Sequence, residues 1–203
     1  MSSESHRNVF FDTWTDTSAY MFDSVVAANR AALAALGVDT DERDTKEPVD
    51  RIEPAEDLPE WDAEKTVDAP EDLSVGDRFE FTKTLSDGDV RRFAAVSGDT
   101  NPLHLDDEFA EQTRFKSRIA HGTLVGGLIS AALARIPGLV VYLSQDLEFH
   151  NPVRIGETLT AVCEIVEDLG HSQYRLTTRV INADEETVID GEAVVLIDSV
   201  PEE

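Results

Sequence analysis

Cysteine is nearly absent from this chain, with one, Cys163, in 203 residues. A lone cysteine closes no internal disulfide and builds no cysteine metal cage, which excludes the disulfide-framework and zinc-finger classes. Lysine is scarce as well, confined to Lys46, Lys65, Lys83 and Lys116, and 17 basic residues face 42 acidic ones for a formal charge of -25. Such a surface repels phosphate backbones and anionic lipid, so nucleic acid is not an expected partner. Long apolar runs are missing, and the start, "MSSESHRN", is polar. The expectation is a soluble, cytoplasmic protein with no leader and no membrane span. No Gly-rich loop follows a strand as a nucleotide site requires, and the five histidines are too scattered for a metal cluster of local spacing. No metal is expected.

What the chain does have is acid spread along its whole length. Dispersed negative charge suits concentrated salt, where screening shrinks to about 3 Å at 1 M and self-repulsion costs little, so a high-salt cytoplasm is the expected home, with an acidic protein of an ordinary cell as the alternative. Its size and 41% hydrophobic content allow one good core plus a polar appendage. In residues 9–36, Phe11, Trp14, Phe22, Val25, Ala32 and Leu36 recur at helical steps and Gly37 offers a stop. This predicts an amphipathic helix within residues 1–37, packed on its own domain or a partner subunit, or else docked on an apolar surface. Residues 38–72, dense in acid and proline, cannot offset their ordering entropy and are expected to be a linker that Trp61 anchors locally.

The compact domain is expected over residues 73–203. "VGDRFEFTKTL" alternates as a strand; "SDGDVRRFAAVSG" predicts a short helix with Ser86 as N-cap and Val90, Phe93, Ala94 and Val96 as apolar positions. A second short helix, "DDEFAEQT", leads to "IAHGTLVGGLISAALARIPG", apolar nearly all round between residues 122 and 136 and so expected as a buried helix of about four turns. Four successive alternating segments follow and predict an antiparallel meander. A buried helix followed by such a meander implies a sheet wrapped around the helix.

Two stretches could carry chemistry. In "SGDTNPLH", Asp99 and His104 are each unremarkable alone, a turn cap and a loop histidine. Together they read as an acid/base dyad, because the turn through Asn101 and Pro102 reverses the chain and aims both into one volume, where imidazole beside carboxylate exchanges protons with water near neutrality. In "AHGTLVGGL", Gly122 and Thr123 open the buried helix, whose first N–H groups have no intrahelical partner and suit developing negative charge. The alternative, glycines as spacers in tight helix packing, stays open. His121 is read as filler. His150 is read as structural, with the lining of a substrate tunnel as the alternative, and His6 and His171 as exposed. Arg114, Lys116 and Arg118 form a basic island that is either the rim for a phosphorylated ligand or a solvated loop.

These residues also carry a resemblance. "FAAVSGDTNPLHLDDEFA", "RIAHGTLVGGLISAAL" and "EFHNPVRIGETL" resemble, in order, segments of the MaoC-like, (R)-specific enoyl-CoA hydratase family. The resemblance implies an α+β hot-dog fold, an antiparallel sheet around a long central helix, here with an N-terminal helical extension. It further implies Asp99 and His104 as the catalytic dyad, Asn101 as a loop-shaping residue, and backbone N–H groups near Gly122 on a thioester oxygen. The reaction implied is reversible hydration of a trans-2-enoyl-CoA to an (R)-3-hydroxyacyl-CoA, with no metal or redox cofactor. Open sheet edges predict a homodimer. The rivals are an acyl-CoA thioesterase, disfavoured because residues 122–134 contain no Asp or Glu, and a non-catalytic acyl-CoA binder or granule scaffold. The N-terminal segment is faintly similar to phasin-type sequences that coat polyhydroxyalkanoate granules, which would fit a hydratase supplying polyester synthesis.

Overall fold

The computed structural model describes Leu58 and residues 60–198. The expected helix within residues 1–37 lies outside them, as does most of the expected linker. The described elements run β1 (Asp62–Lys65), a 3-10 turn (Pro70–Asp72), β2 (Arg78–Thr84), α1 (Asp87–Ser97), α2 (Pro102–Leu105), α3 (Asp107–Glu111), α4 (Gly122–Leu133), β3 (Leu139–Gln145), β4 (Glu148–Phe149), β5 (Thr158–Gly170), β6 (Gln173–Asn182) and β7 (Thr187–Asp198). Strand order in the antiparallel sheet is β1-β2-β5-β6-β7-β3, with β4 also on β7. The sheet wraps α4, so the fold is the expected α+β hot-dog.

Alternation builds the inner face. Phe79 and Phe81 of β2 stand opposite Cys163 and Ala161 of β5, and Leu159, Ile165, Leu176, Val180, Ile189 and Val195 complete a lining with no solvent exposure. Val125, Leu128, Ile129, Ala132 and Leu133 of α4 fill the trough. Each such aliphatic contributes about 1.5–3 kcal/mol by leaving water, and the helix is held where it lies chiefly by this term. Burial pushes the Cys163 thiol up to about 12, so this cysteine is a core filler and not a nucleophile.

Four expectations need correction. The later part of the expected linker is folded: β1 pairs with β2, Trp61 meets Phe81 edge-on at 5.5 Å, and Val67 joins the core. The first strand after the helix is not part of a sequential meander, since β3 crosses over to the far side of β7 and, of the strands that follow the helix, only β5, β6 and β7 form a run of consecutive neighbours. The central helix is Gly122–Leu133, shorter than four turns, and it is not buried all round. Thr123, Gly127, Ser130 and Ala134 form an exposed stripe, because small residues at that spacing present nothing for the sheet to cover. Finally, Val96 of α1 is 89% exposed, while Val90 and Ala94 face the core.

Candidate active site

Helix α1 begins in a capping box, in which Ser86 Oγ accepts from the Asp89 N–H and the Asp89 carboxylate accepts from the Ser86 N–H. Burial works against the Asp89 charge, but hydrogen bonds from Ser86 and Lys83 outweigh it and hold the carboxyl below its usual range. The helix stops at Gly98, which takes φ 79° and so turns the chain where a side chain would be strained. Asp99 follows, exposed, its carboxylate accepting from the Asn101 N–H at 3.3 Å. Asn101 then caps α2 by accepting from the Leu103 N–H, with Pro102 at the first helical position. The Asn-Pro turn is thus the start of a single helical turn, and His104 lies on it.

His104 is 8% exposed. Its Nδ1 lies 2.8 Å from the carbonyl of Ile119. A carbonyl only accepts, so Nδ1 carries the hydrogen and Nε2 is the nitrogen left to exchange a proton. Two residues on, His121 Nε2 donates to the backbone carbonyl of Asp99 at 3.0 Å. One short extended segment therefore grips both halves of the loop. It is pinned by the bridge between Ile119 and Arg154 and by the Ala120 N–H bonded to the Val153 carbonyl.

The result is convergence: polar side-chain atoms of Asp99, His104 and His121 all lie within 4.8 Å of one another. A water making two hydrogen bonds of about 2.8 Å spans a gap of this size. Beside it opens a cavity of about 300 Å³ lined by His104, Arg114, Phe115, Gly122, Phe149 and His150, among others. Gly122 is the first residue of α4, and the helix N-cap, His121, makes no side-chain cap. A methyl group at Gly122 would sit 2.8 Å from Phe149 Cε1, so the glycine is what lets an aromatic ring lie against this helix start. Thr123 is exposed one residue further along α4.

The basic island divides. Arg114 is exposed, lines the cavity and lies over the Phe115 ring at 4.8 Å. Lys116 is exposed, with a long 3.5 Å contact to the Glu111 carbonyl. Arg118 is not available to a phosphate: it is bound by Asp107 at 2.7 Å and Asp87 at 2.6 Å, and also donates to the His104 carbonyl. These hydrogen bonds hold its guanidinium further into the charged range. The expected rim role is withdrawn for Arg118, whose place is under the dyad loop. His150 lines the cavity and is bonded to Asp190 at 2.5 Å. His121, expected as filler, is the residue that sequence reasoning missed. Its partner is a backbone carbonyl 22 positions away, which no side-chain pattern reveals.

Comparison with known proteins gives a consistent picture. The family described as MaoC like domain matches residues 72–187. The (R)-specific enoyl-CoA hydratase of Rhodospirillum rubrum is 42% identical over 132 residues, covering 63% of this chain and 90% of that one. Among solved structures, the R-hydratase PhaJ1 of Pseudomonas aeruginosa superposes with a TM-score of 0.62 at 40% identity, covering 68% of this chain and 90% of that one. The (R)-hydratase of Aeromonas caviae, described as involved in PHA biosynthesis, gives a TM-score of 0.60 at 36% identity over 63% of this chain and 98% of that one.

Proposed function

Because the chain belongs to the MaoC-like domain family, we propose that it is an (R)-specific enoyl-CoA hydratase, a hydro-lyase acting on trans-2-enoyl-CoA. The observation that carries this reading is the approach of Asp99 and His104 to within 4.8 Å beside a cavity into which α4 opens. In the proposed reaction one water lies between the Asp99 carboxylate and His104 Nε2. Its oxygen bonds to the β-carbon, one of its hydrogens passes to a member of the dyad, and a proton is delivered to the α-carbon on the same face, giving the (R)-3-hydroxyacyl-CoA. Proton ownership is shared by the coupled pair. Backbone N–H groups at Gly122 and Thr123 receive the charge that gathers on the thioester oxygen, a contribution of about 3 kcal/mol per donor. Asn101 and Pro102 shape the loop, Arg114 and Lys116 lie toward the CoA phosphates, and the chemistry uses no metal or redox cofactor.

The assembly we propose is a homodimer joined through β3. Among the described residues that strand pairs with β7 on one side only, and Leu139, Val141, Tyr142 and Leu143 are 41–50% exposed along it. Pairing two such edges removes both their open backbone groups and their apolar exposure. Polyester supply is the route we favour, since the Aeromonas caviae relative is described in those terms; granule association would rest on residues 9–36, and a high-salt cytoplasm on the dispersed acid.

The test is addition of crotonyl-CoA in concentrated salt. Loss of enoyl absorbance with an (R)-3-hydroxy product supports the hydratase. Free thiol release would mean a thioesterase, and neither signal would mean a binder or scaffold.

A further inference from the structure

His121 is 1% exposed, yet its buried ring is not passive packing. Nε2 donates to the Asp99 carbonyl at 3.0 Å. One face lies against His104, with ring centroids 3.9 Å apart and 32° between planes, and Phe93 backs the ring at 4.9 Å. Asp99 itself sits on an exposed loop, where its other hydrogen bonds are local: its N–H to Ser97 Oγ and its carboxylate to the Asn101 N–H, each two residues away. The bond from His121 ties the Asp99 half of the loop to the start of α4, as the bond from His104 to the Ile119 carbonyl ties the other half. It therefore fixes the carboxylate relative both to the imidazole it works with and to the helix N-terminus that faces the substrate carbonyl.

We infer that His121 is a positioning residue of the hydration reaction, setting the separation of Asp99 and His104 through its hydrogen bond to the Asp99 carbonyl and its stack on the His104 ring. The inference rests on the hydratase reading. It differs from a packing role in one respect: the donated hydrogen bond matters, and the volume alone does not. A misplacement of about 1 Å in a reacting group costs on the order of 10²-fold in rate, and that is the scale at stake here.

The experiment compares His121→Phe, which keeps a flat ring and loses the donor, with His121→Gln, which loses the ring and keeps an N–H able to reach the carbonyl. In crotonyl-CoA hydration the expected result is a fall of about 10²-fold in kcat for the Phe variant with KM within about threefold, and recovery of about tenfold in kcat by the Gln variant. Equal or higher kcat in the Phe variant would reduce His121 to packing and overturn the proposal. A wild-type protein that hydrates no enoyl-CoA would instead overturn the hydratase reading, so the two failures are distinct. Should both variants unfold, nitrogen NMR of the wild-type imidazole decides. Hydrogen on Nε2 with a bare Nδ1 is expected, and hydrogen on Nδ1 sinks the proposal.

Discussion

The described residues contain two places where carboxylate and imidazole atoms crowd within 4.8 Å: Asp99 with His104 and His121, and Glu148 with His150 and Asp190. Their compositions are close, and their surroundings are opposite. In the first, both histidines are buried and each spends one nitrogen on a backbone carbonyl, of Ile119 or of Asp99. Backbone anchors are rigid, and they leave the second carboxylate oxygen of Asp99 and Nε2 of His104 to face a third molecule. In the second, Glu148 and His150 are exposed, and the imidazole meets the Asp190 carboxylate directly at 2.5 Å. There the pair satisfies itself, and water competes for both members. The difference teaches that an acid/base site is recognised by what holds its members apart, more than by which residues gather.

The strongest way to break this comparison is to remove one member of the anchored set. Asp99→Asn and His104→Gln should each lower kcat for crotonyl-CoA hydration by about 10³-fold or more while leaving the melting temperature nearly unchanged. A variant within tenfold of wild type would remove the distinction between the two clusters. Next in size is Gly122→Ala. The added methyl would lie 2.8 Å from Phe149 Cε1, and Phe149, 55% exposed, can swing aside, so folding survives. The methyl still stands at the helix N–H groups proposed above to receive the thioester oxygen. A loss of about 10²-fold in kcat/KM is expected, read in the same assay across a chain-length series.

The sequence made the larger outlines legible because they rest on periodicity and local turn chemistry. β2, β5, β6 and the second half of β7 alternate, and the Gly98 stop and the Asn101-Pro102 turn place Asp99 and His104 together without knowledge of the fold. What escaped was structure carried by backbone or by distant partners. β1 is four exposed residues, "DAEK", with no apolar alternation, so its membership of the sheet comes from main-chain pairing with β2. Its flanking Trp61 and Val67 were the available signal. The crossover that puts β3 beside β7 depends on which edge remains open, which no single strand encodes. Arg118 looked like a member of a loose basic island because its partners lie 31 and 11 residues away.

Arg118 also offers a prediction about stability, which sharpens the comparison by asking what the anchors contribute to the fold. Its side chain is 13% exposed and joins α1 and α3 beneath the dyad loop through Asp87 and Asp107. Arg118→Met should cost roughly 1 kcal/mol at pH 7, since both carboxylates are substantially solvated. Hydrogen bonds from Arg91 and then Arg118 hold the Asp87 carboxyl below its ordinary 3.8. A carboxyl lowered by folding contributes stability above its ordinary value and surrenders it as pH falls through the lowered one. Wild type should therefore lose stability as pH drops below about 4, and the Met variant should lose less over the same interval. Thermal melts at pH 7 and pH 3 measure both; an identical acid response would show that Arg118 does not set the Asp87 charge.

The smallest effect belongs to the second cluster, and its smallness is the point. His150 reaches the cavity wall, but its ring is 40% exposed and its partner Asp190 is 50% exposed. Opposite Asp190 across the strands stands Glu148, so two carboxylates flank the imidazole. Replacing His150 with Gln keeps a polar wall, and the backbone N–H still bonds the Val188 carbonyl. An exposed pair of this kind is worth about 0–1 kcal/mol, so even if all of it were lost from substrate binding KM would rise at most about fivefold, and no change in kcat is expected. A fall in kcat comparable to that of His104→Gln would show that an exposed, self-satisfied pair can do proton chemistry here after all, and that backbone anchoring is not what distinguishes the two places.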